Sequence, residues 1–193
     1  MKYLKHFKLF ENHLYMLKSG LIRVKRYCKP DTINTNELRG GTWYSYINDE
    51  RADRYNQTDS KIGGTTLITG EIEYQKPFVL TNTNSNNVLF DFQLFTFIDI
   101  FTEEDKEFLL NISFEKNKIK FIKESLKYGV IDKKQSEIIK KLSDFNSLNV
   151  IVDNLLAKRL KENNRDVFIR LDQDNYIFEV FDINNLFQQK TIS

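Results

Sequence analysis

The sequence predicts an α+β protein, and three observations carry that expectation. Short β-prone runs gather toward both ends, the middle repeats apolar residues at helical spacing behind capping motifs, and 40% hydrophobic residues are enough to bury a core. A length of 193 residues fits one domain spanning 1–193. No internal repeat or interdomain linker interrupts it.

At the start, Leu4, Phe7, Leu9 and Phe10, then Leu14 to Met16, form short apolar elements that suit helix or strand alike. After the Ser19-Gly20 break, LIRVKRYC alternates as a strand, with Leu21, Arg23, Lys25 and Tyr27 on one face and Ile22, Val24, Arg26 and Cys28 on the other. The polar KPDTINTNELRGG has turn chemistry, TWYSY is β-prone, and NDERADRYNQ has an Asn48 or Asp49 cap suited to a helix start. Gly63-Gly64 introduces the strand TTLITGEIEYQ, and Pro77 introduces FVL before the loop TNTNSNN. The apolar VLFDFQLFTFIDIF fits either a strand or a buried helix.

Beyond it the pattern turns helical. Thr102 to Asp105 and Asp132 to Gln135 each read as a capping box, Gly129 closes the helix between them, and Val150, Leu155, Leu156 and Leu160 suit an amphipathic helix ending at Asn163-Asn164. DVFIRL and YIFEVF then alternate around the turn LDQDN, as a hairpin does, and the chain runs out through FDINNL.

Charge narrows the function. With 29 basic against 27 acidic residues the net charge is +2, so any polyanion site must be local. Lysines crowd into Lys116 to Lys141, with Glu115, Glu124, Asp132 and Glu137 interleaved. That pattern reads first as a solvated helical face and second as an RNA or DNA stripe. The lone Cys28 forms no internal disulfide, which suits a reducing compartment, and with only His6 and His13 as further soft ligands no metal is expected. Charged residues break the N-terminal apolar run as no signal peptide would allow, and no segment is long and apolar enough to span a bilayer. The expectation is a cytoplasmic protein without a membrane partner.

The order of these motifs resembles the ADP-ribosyltransferase-like fold of bacterial and phage toxins, effectors and poly(ADP-ribose) polymerase-like enzymes. Leu21-Ile22-Arg23 is similar to that family's early Leu-Tyr-Arg strand, and Gly41-Thr42-Trp43-Tyr44-Ser45 followed by Ala52-Asp53-Arg54-Tyr55 is similar to its aromatic strand and next helix. Lys76-Pro77-Phe78-Val79-Leu80 resembles a further strand. Asn164 to Ile169 and Glu179-Val180-Phe181-Asp182-Ile183 resemble the last two. The resemblance implies a single ADP-ribosyltransferase-like domain of mixed and antiparallel sheets, with helices in the central and C-terminal part.

It also implies a site. NAD would be the co-substrate, with Trp43 or Tyr44 stacking on nicotinamide, Tyr55 nearby on the following helix, Ser45 supporting the site and Arg23 anchoring a ribose or phosphate through its planar fork of donors. Arg26 is a rival to Arg23, because a strand register shifted by one exchanges the faces, and Arg39 is another, because turn amides with a neighbouring guanidinium can hold an anion. Glu179 would stabilise the positive charge that develops as the nicotinamide–ribose bond breaks. The family carries its acid a few residues earlier, where this chain has Tyr176 and Ile177, so Asp172, Gln173 and Asp174 remain alternatives.

Three functions fit. The first is an NAD-dependent mono-ADP-ribosyltransferase acting on a macromolecular acceptor, protein or nucleic acid, as a toxin or phage-host conflict protein with an antitoxin or inhibitor partner. The second is an NAD-degrading toxin, since Gly40 to Ser45 resembles a Gly-Gly-Arg-Trp-Asn-Ser stretch with Thr42 in place of the Arg. The third is a non-enzymatic binding or inhibitor protein on a degenerate transferase fold.

Overall fold

The computed structural model describes residues 20–28, 38–48, 66–80, 100–141, 147–171 and 177–190. The architecture is α+β, as the sequence predicts. The chain forms two compact units, one of Met1–Ile33, Thr42–Asn86 and Arg165–Ser193, the other of Asn34–Gly41 and Asn87–Asn164. The first carries the described strands and the second the described helices.

The first unit is a seven-stranded sheet of β1 (Leu21–Cys28), β2 (Thr42–Tyr46), β3 (Thr66–Glu73), β4 (Pro77–Leu80), β5 (Val167–Leu171), β6 (Ile177–Asp182) and β7 (Phe187–Gln189). Its order is β4-β5-β6-β2-β1-β3-β7. Every neighbouring pair is antiparallel except β4 with β5. Directly opposed residues share a face, so the register divides the side chains into two sets. One face carries the apolar core, with Ile22, Val24, Tyr44, Ile72, Ile169 and Val180 all buried.

β7 is the strand that the sequence reading missed in FDINNL and beyond. Its start is set by Asp182, a buried carboxylate that accepts the backbone N–H groups of Asn184 and Phe187, both at 3.0 Å. Those bonds turn the chain and return Phe187 to the sheet, where its ring stacks on Tyr44. Asp166 works the same way between β3 and β4, accepting from the amides of Gln75 and Lys76. Its charge lies near Tyr74, whose hydroxyl is pushed up to about 12, first by burial and then by Asp166.

The second unit holds α1 (Glu103–Ser113), α2 (Lys118–Tyr128), α3 (Lys133–Lys141) and α4 (Ser147–Glu162). Both expected capping boxes form. Thr102 Oγ1 accepts from the Asp105 amide while Asp105 accepts from the Thr102 amide, and Asp132 and Gln135 reciprocate in the same way. Gly129 closes α2 in the left-handed conformation at φ 74°. The α4 helix differs from expectation: every residue from Val150 to Ala157 is buried, so it is surrounded on all sides and is not amphipathic. Each of its two buried polar residues finds a partner within the unit. Asp153 pairs with Arg39 at 2.8 Å, and Asn154 donates to the Leu38 carbonyl.

Asp105 ties three helices together. Fully buried, it accepts two bonds from the Arg159 guanidinium and one from the Tyr128 hydroxyl, each at 2.7 Å. Burial pushes this carboxyl up, but the Arg159, Tyr128 and Thr102 hydrogen bonds outweigh it and hold it down at about 2. The Tyr128 ring in turn stacks on Phe108 at 3.9 Å.

No helix among the described residues is long and apolar enough to cross a membrane. The expected elements within 1–19, 49–65 and 81–99 lie outside the described residues, as does the LDQDN turn beyond Leu171.

Candidate functional site

The sheet face opposite the apolar core carries the polar chemistry. The register aligns Leu80, Arg170, Glu179, Ser45, Lys25 and Thr69 in one row across six strands. Ser45 and Glu179 are direct partners, Lys25 stands on the other side of Ser45, and Arg170 on the other side of Glu179. A guanidinium nitrogen of Arg170 lies 3.3 Å from the Glu179 carboxylate. Both cations are buried, at 5% exposure for Lys25 and 3% for Arg170. A buried charge is costly unless it is matched, so these residues form a fixed electrostatic row and not a solvated surface.

A register shift sits beside Glu179. Arg170 opposes Glu179, but the next residue, Leu171, opposes Ile177. Irregularities of this kind bend a strand and re-aim its side chains, and they recur beside active sites.

An aromatic cluster flanks the row on the same face. Trp43 stacks on Phe181 with ring centroids 4.6 Å apart and meets Phe168 edge-on at 5.9 Å, while Phe168 stacks on Phe78. Trp43 is half-buried, and Phe168 and Phe181 are fully buried. One face of the indole is therefore committed to the protein.

Arg23 lies two residues before Lys25 and on its face. Its side chain is 59% exposed, with the guanidinium 3.5 Å from Glu71, whose other carboxylate oxygen takes the Lys190 ammonium. Lys190 first, and Arg23 after it, hold the Glu71 carboxyl below its ordinary value.

The structure thus gathers Arg23, Trp43, Ser45 and Glu179 onto one face of three adjacent strands, β1, β2 and β6. It places Tyr44 on the other face, buried in the core against Phe187, as alternation along a strand requires. Arg26 also points away from the row, opposite Ile68, and Arg39 is engaged by Asp153 in the helical unit. Tyr55, Asp172, Gln173 and Asp174 lie outside the described residues.

Sequence reasoning missed Lys25 and Arg170. Arg170 had a signal, a cation inside the otherwise apolar VFIRL, whereas Lys25 sits in an alternating strand that looks half-solvated. Among the described residues, no group of three or more His, Cys, Asp or Glu is arranged to hold a metal.

No family model matches the chain, and no curated protein or solved structure matches it either.

Proposed function

We propose that the chain is an NAD-dependent mono-ADP-ribosyltransferase with an ADP-ribosyltransferase-like fold, acting on a macromolecular acceptor. The observation that carries this reading is the direct pairing of Ser45 with Glu179, with Arg23 on the next strand and the same face. Arginine, serine and acid come from the early, aromatic and late strands, in the order that the sequence resemblance implies, and they share one face of adjacent strands only through folding.

The residues fit NAD in kind. Arg23 offers an exposed guanidinium suited to a phosphate or ribose, Trp43 an aromatic edge, and Glu179 a carboxylate beside a hydroxyl. Bound NAD would supply a nicotinamide leaving group and a ribose carbon that turns positive as the bond breaks. Glu179 stands to stabilise that charge, Arg170 to hold the carboxylate in place, and Ser45 to orient it by hydrogen bonding.

One observation favours a second reading, a non-catalytic binding protein: Glu179 is already engaged by buried Arg170. Incubating the purified chain with NAD and following nicotinamide by chromatography, with and without cell lysate, separates the cases. Release that needs lysate supports transfer to an acceptor, and release in buffer supports hydrolysis. No release, with NAD still bound by calorimetry, supports the binding protein.

A further inference from the structure

The helical unit carries a second feature that the NAD reading does not use. Between Lys116 and Lys141 nine lysines stand against Glu124, Asp132 and Glu137, a net +6 in a chain whose total is +2, so the remainder is net −4. Glu115, just before that window, pairs with Lys120, so acid and base are mixed on part of α2. On α2 the buried residues Phe121, Ile122 and Ser125 define the inner side. At 100° per residue, Ile119, Lys123 and Lys127 fall in one row on the opposite side, with Lys116 leading into it. All four are exposed.

Exposed apolar residues stand close by in the sequence. Only five large hydrophobic side chains are exposed among the described residues, and three of them lie within ten positions: Leu110 at 45%, Phe114 at 75% and Ile119 at 79%. Leu110 and Phe114 are one helical turn apart at the end of α1, and Ile119 opens α2 across the short connection that follows. Exposed apolar clusters bordered by charge mark interaction surfaces.

We propose that this surface docks peripherally on a bilayer bearing anionic lipid headgroups, with Leu110, Phe114 and Ile119 entering the interface and the lysine row lying over the headgroups. Two features select this occupant. Leu and Ile have no π-face on which a base can stack, so two of the three apolar groups would gain nothing from single-stranded nucleic acid. The segment has no arginine, whereas protein interfaces enrich Arg and deplete Lys. Lysines around exposed Phe, Ile and Leu match the composition of interfacial helices, which need no spanning segment.

Cosedimentation tests the proposal. The full chain should bind vesicles of phosphatidylcholine mixed with phosphatidylglycerol, bind phosphatidylcholine alone far less, and release as salt rises. Replacing Lys116, Lys123 and Lys127 by Gln should lower partitioning by about fivefold for each lysine removed. Phe114→Ser with Ile119→Ser should also lower it, and should abolish the binding that survives high salt. These positions are exposed, so melting temperature and nicotinamide release should not change. Absence of vesicle binding overturns the proposal. So does binding of a single-stranded oligonucleotide that the Lys variants abolish and the apolar variants leave intact, if vesicles are bound no better.

Discussion

Ser45 and Glu179 face each other directly across β2 and β6, and the Glu179 carboxylate lies 3.3 Å from the buried guanidinium of Arg170. Ser45 lies far along the chain from Arg170 and Glu179, which belong to adjacent strands of one hairpin, yet the three occupy consecutive places in one row. Their proximity is a product of strand order and register, and each prediction about the site tests one member of that row or its neighbour.

Glu179→Gln keeps the shape of the side chain and an acceptor for Arg170, but removes the charge. On the proposed function, NAD turnover falls by about a hundredfold or more, the range for loss of an electrostatic stabiliser of the transition state. NAD affinity by calorimetry stays within about twofold, because the charge being stabilised develops only during reaction. Arg170 loses the charge of the Glu179 carboxylate, so the melting temperature also falls, by the equivalent of about 1–3 kcal/mol. Turnover at the wild-type rate would move the acid's role to Asp172 or Asp174.

Arg23→Ala separates binding from folding. The side chain is largely exposed and Glu71 keeps Lys190, so stability should change by less than about 0.5 kcal/mol. NAD affinity should fall about tenfold or more, as expected for losing a hydrogen bond between charged groups. Unchanged affinity would remove Arg23 from the proposed site.

What the sequence made legible was local. Thr102 with Asp105, Asp132 with Gln135, and Gly129 are motifs complete within a few residues, so their geometry follows from spacing alone. Strand alternation likewise put Arg23 and Lys25 on one face. The row itself was not legible, because the pairing of Lys25 with Ser45 and of Ser45 with Glu179 depends on which strands lie side by side. Tyr44 shows the same limit. The resemblance made it as good a stacking partner as Trp43, but one position along a strand is the difference between the polar row and the core. The burial around α4 was also hidden, because its Asp153 and Asn154 look like a solvent face until Arg39 and the Leu38 carbonyl are seen to engage them.

Asp105 sets an acid limit on the helical unit. Its carboxyl titrates at about 2 when folded against an ordinary value of 3.8. A depressed folded value means that the stabilisation is fully present above about pH 4 and is lost as pH falls toward 2, an amount of about 2 kcal/mol. Asp105→Asn should lack this component of the acid unfolding curve, followed by circular dichroism. It should also be less stable at neutral pH by about 3 kcal/mol, since the Arg159 charge loses its bidentate partner. An Asn variant with the wild-type acid transition would show that another group controls it.

Gly40 tests why the Gly-Gly stretch before β2 is glycine at all. Its backbone is not left-handed, so conformational freedom does not explain it. A Cβ placed there would meet the Ala157 Cβ at 2.5 Å and the Asn154 Cα at 3.4 Å, both on buried α4. Gly40→Ala should therefore destabilise by about 1–3 kcal/mol through overpacking, whereas Gly129→Ala should cost about 1 kcal/mol through its positive φ alone. The two mechanisms separate in a double mutant. Ala157→Gly costs about 1 kcal/mol by itself in a helix interior, but combined with Gly40→Ala it opens the space that the new methyl needs. The pair should then be more stable than the sum of the single changes predicts, read as a coupling energy from denaturant melts. Strict additivity would mean that the loop shifts to accept the methyl, and that the Leu38 carbonyl, held by Asn154 and Gln135, does not fix it against the helix.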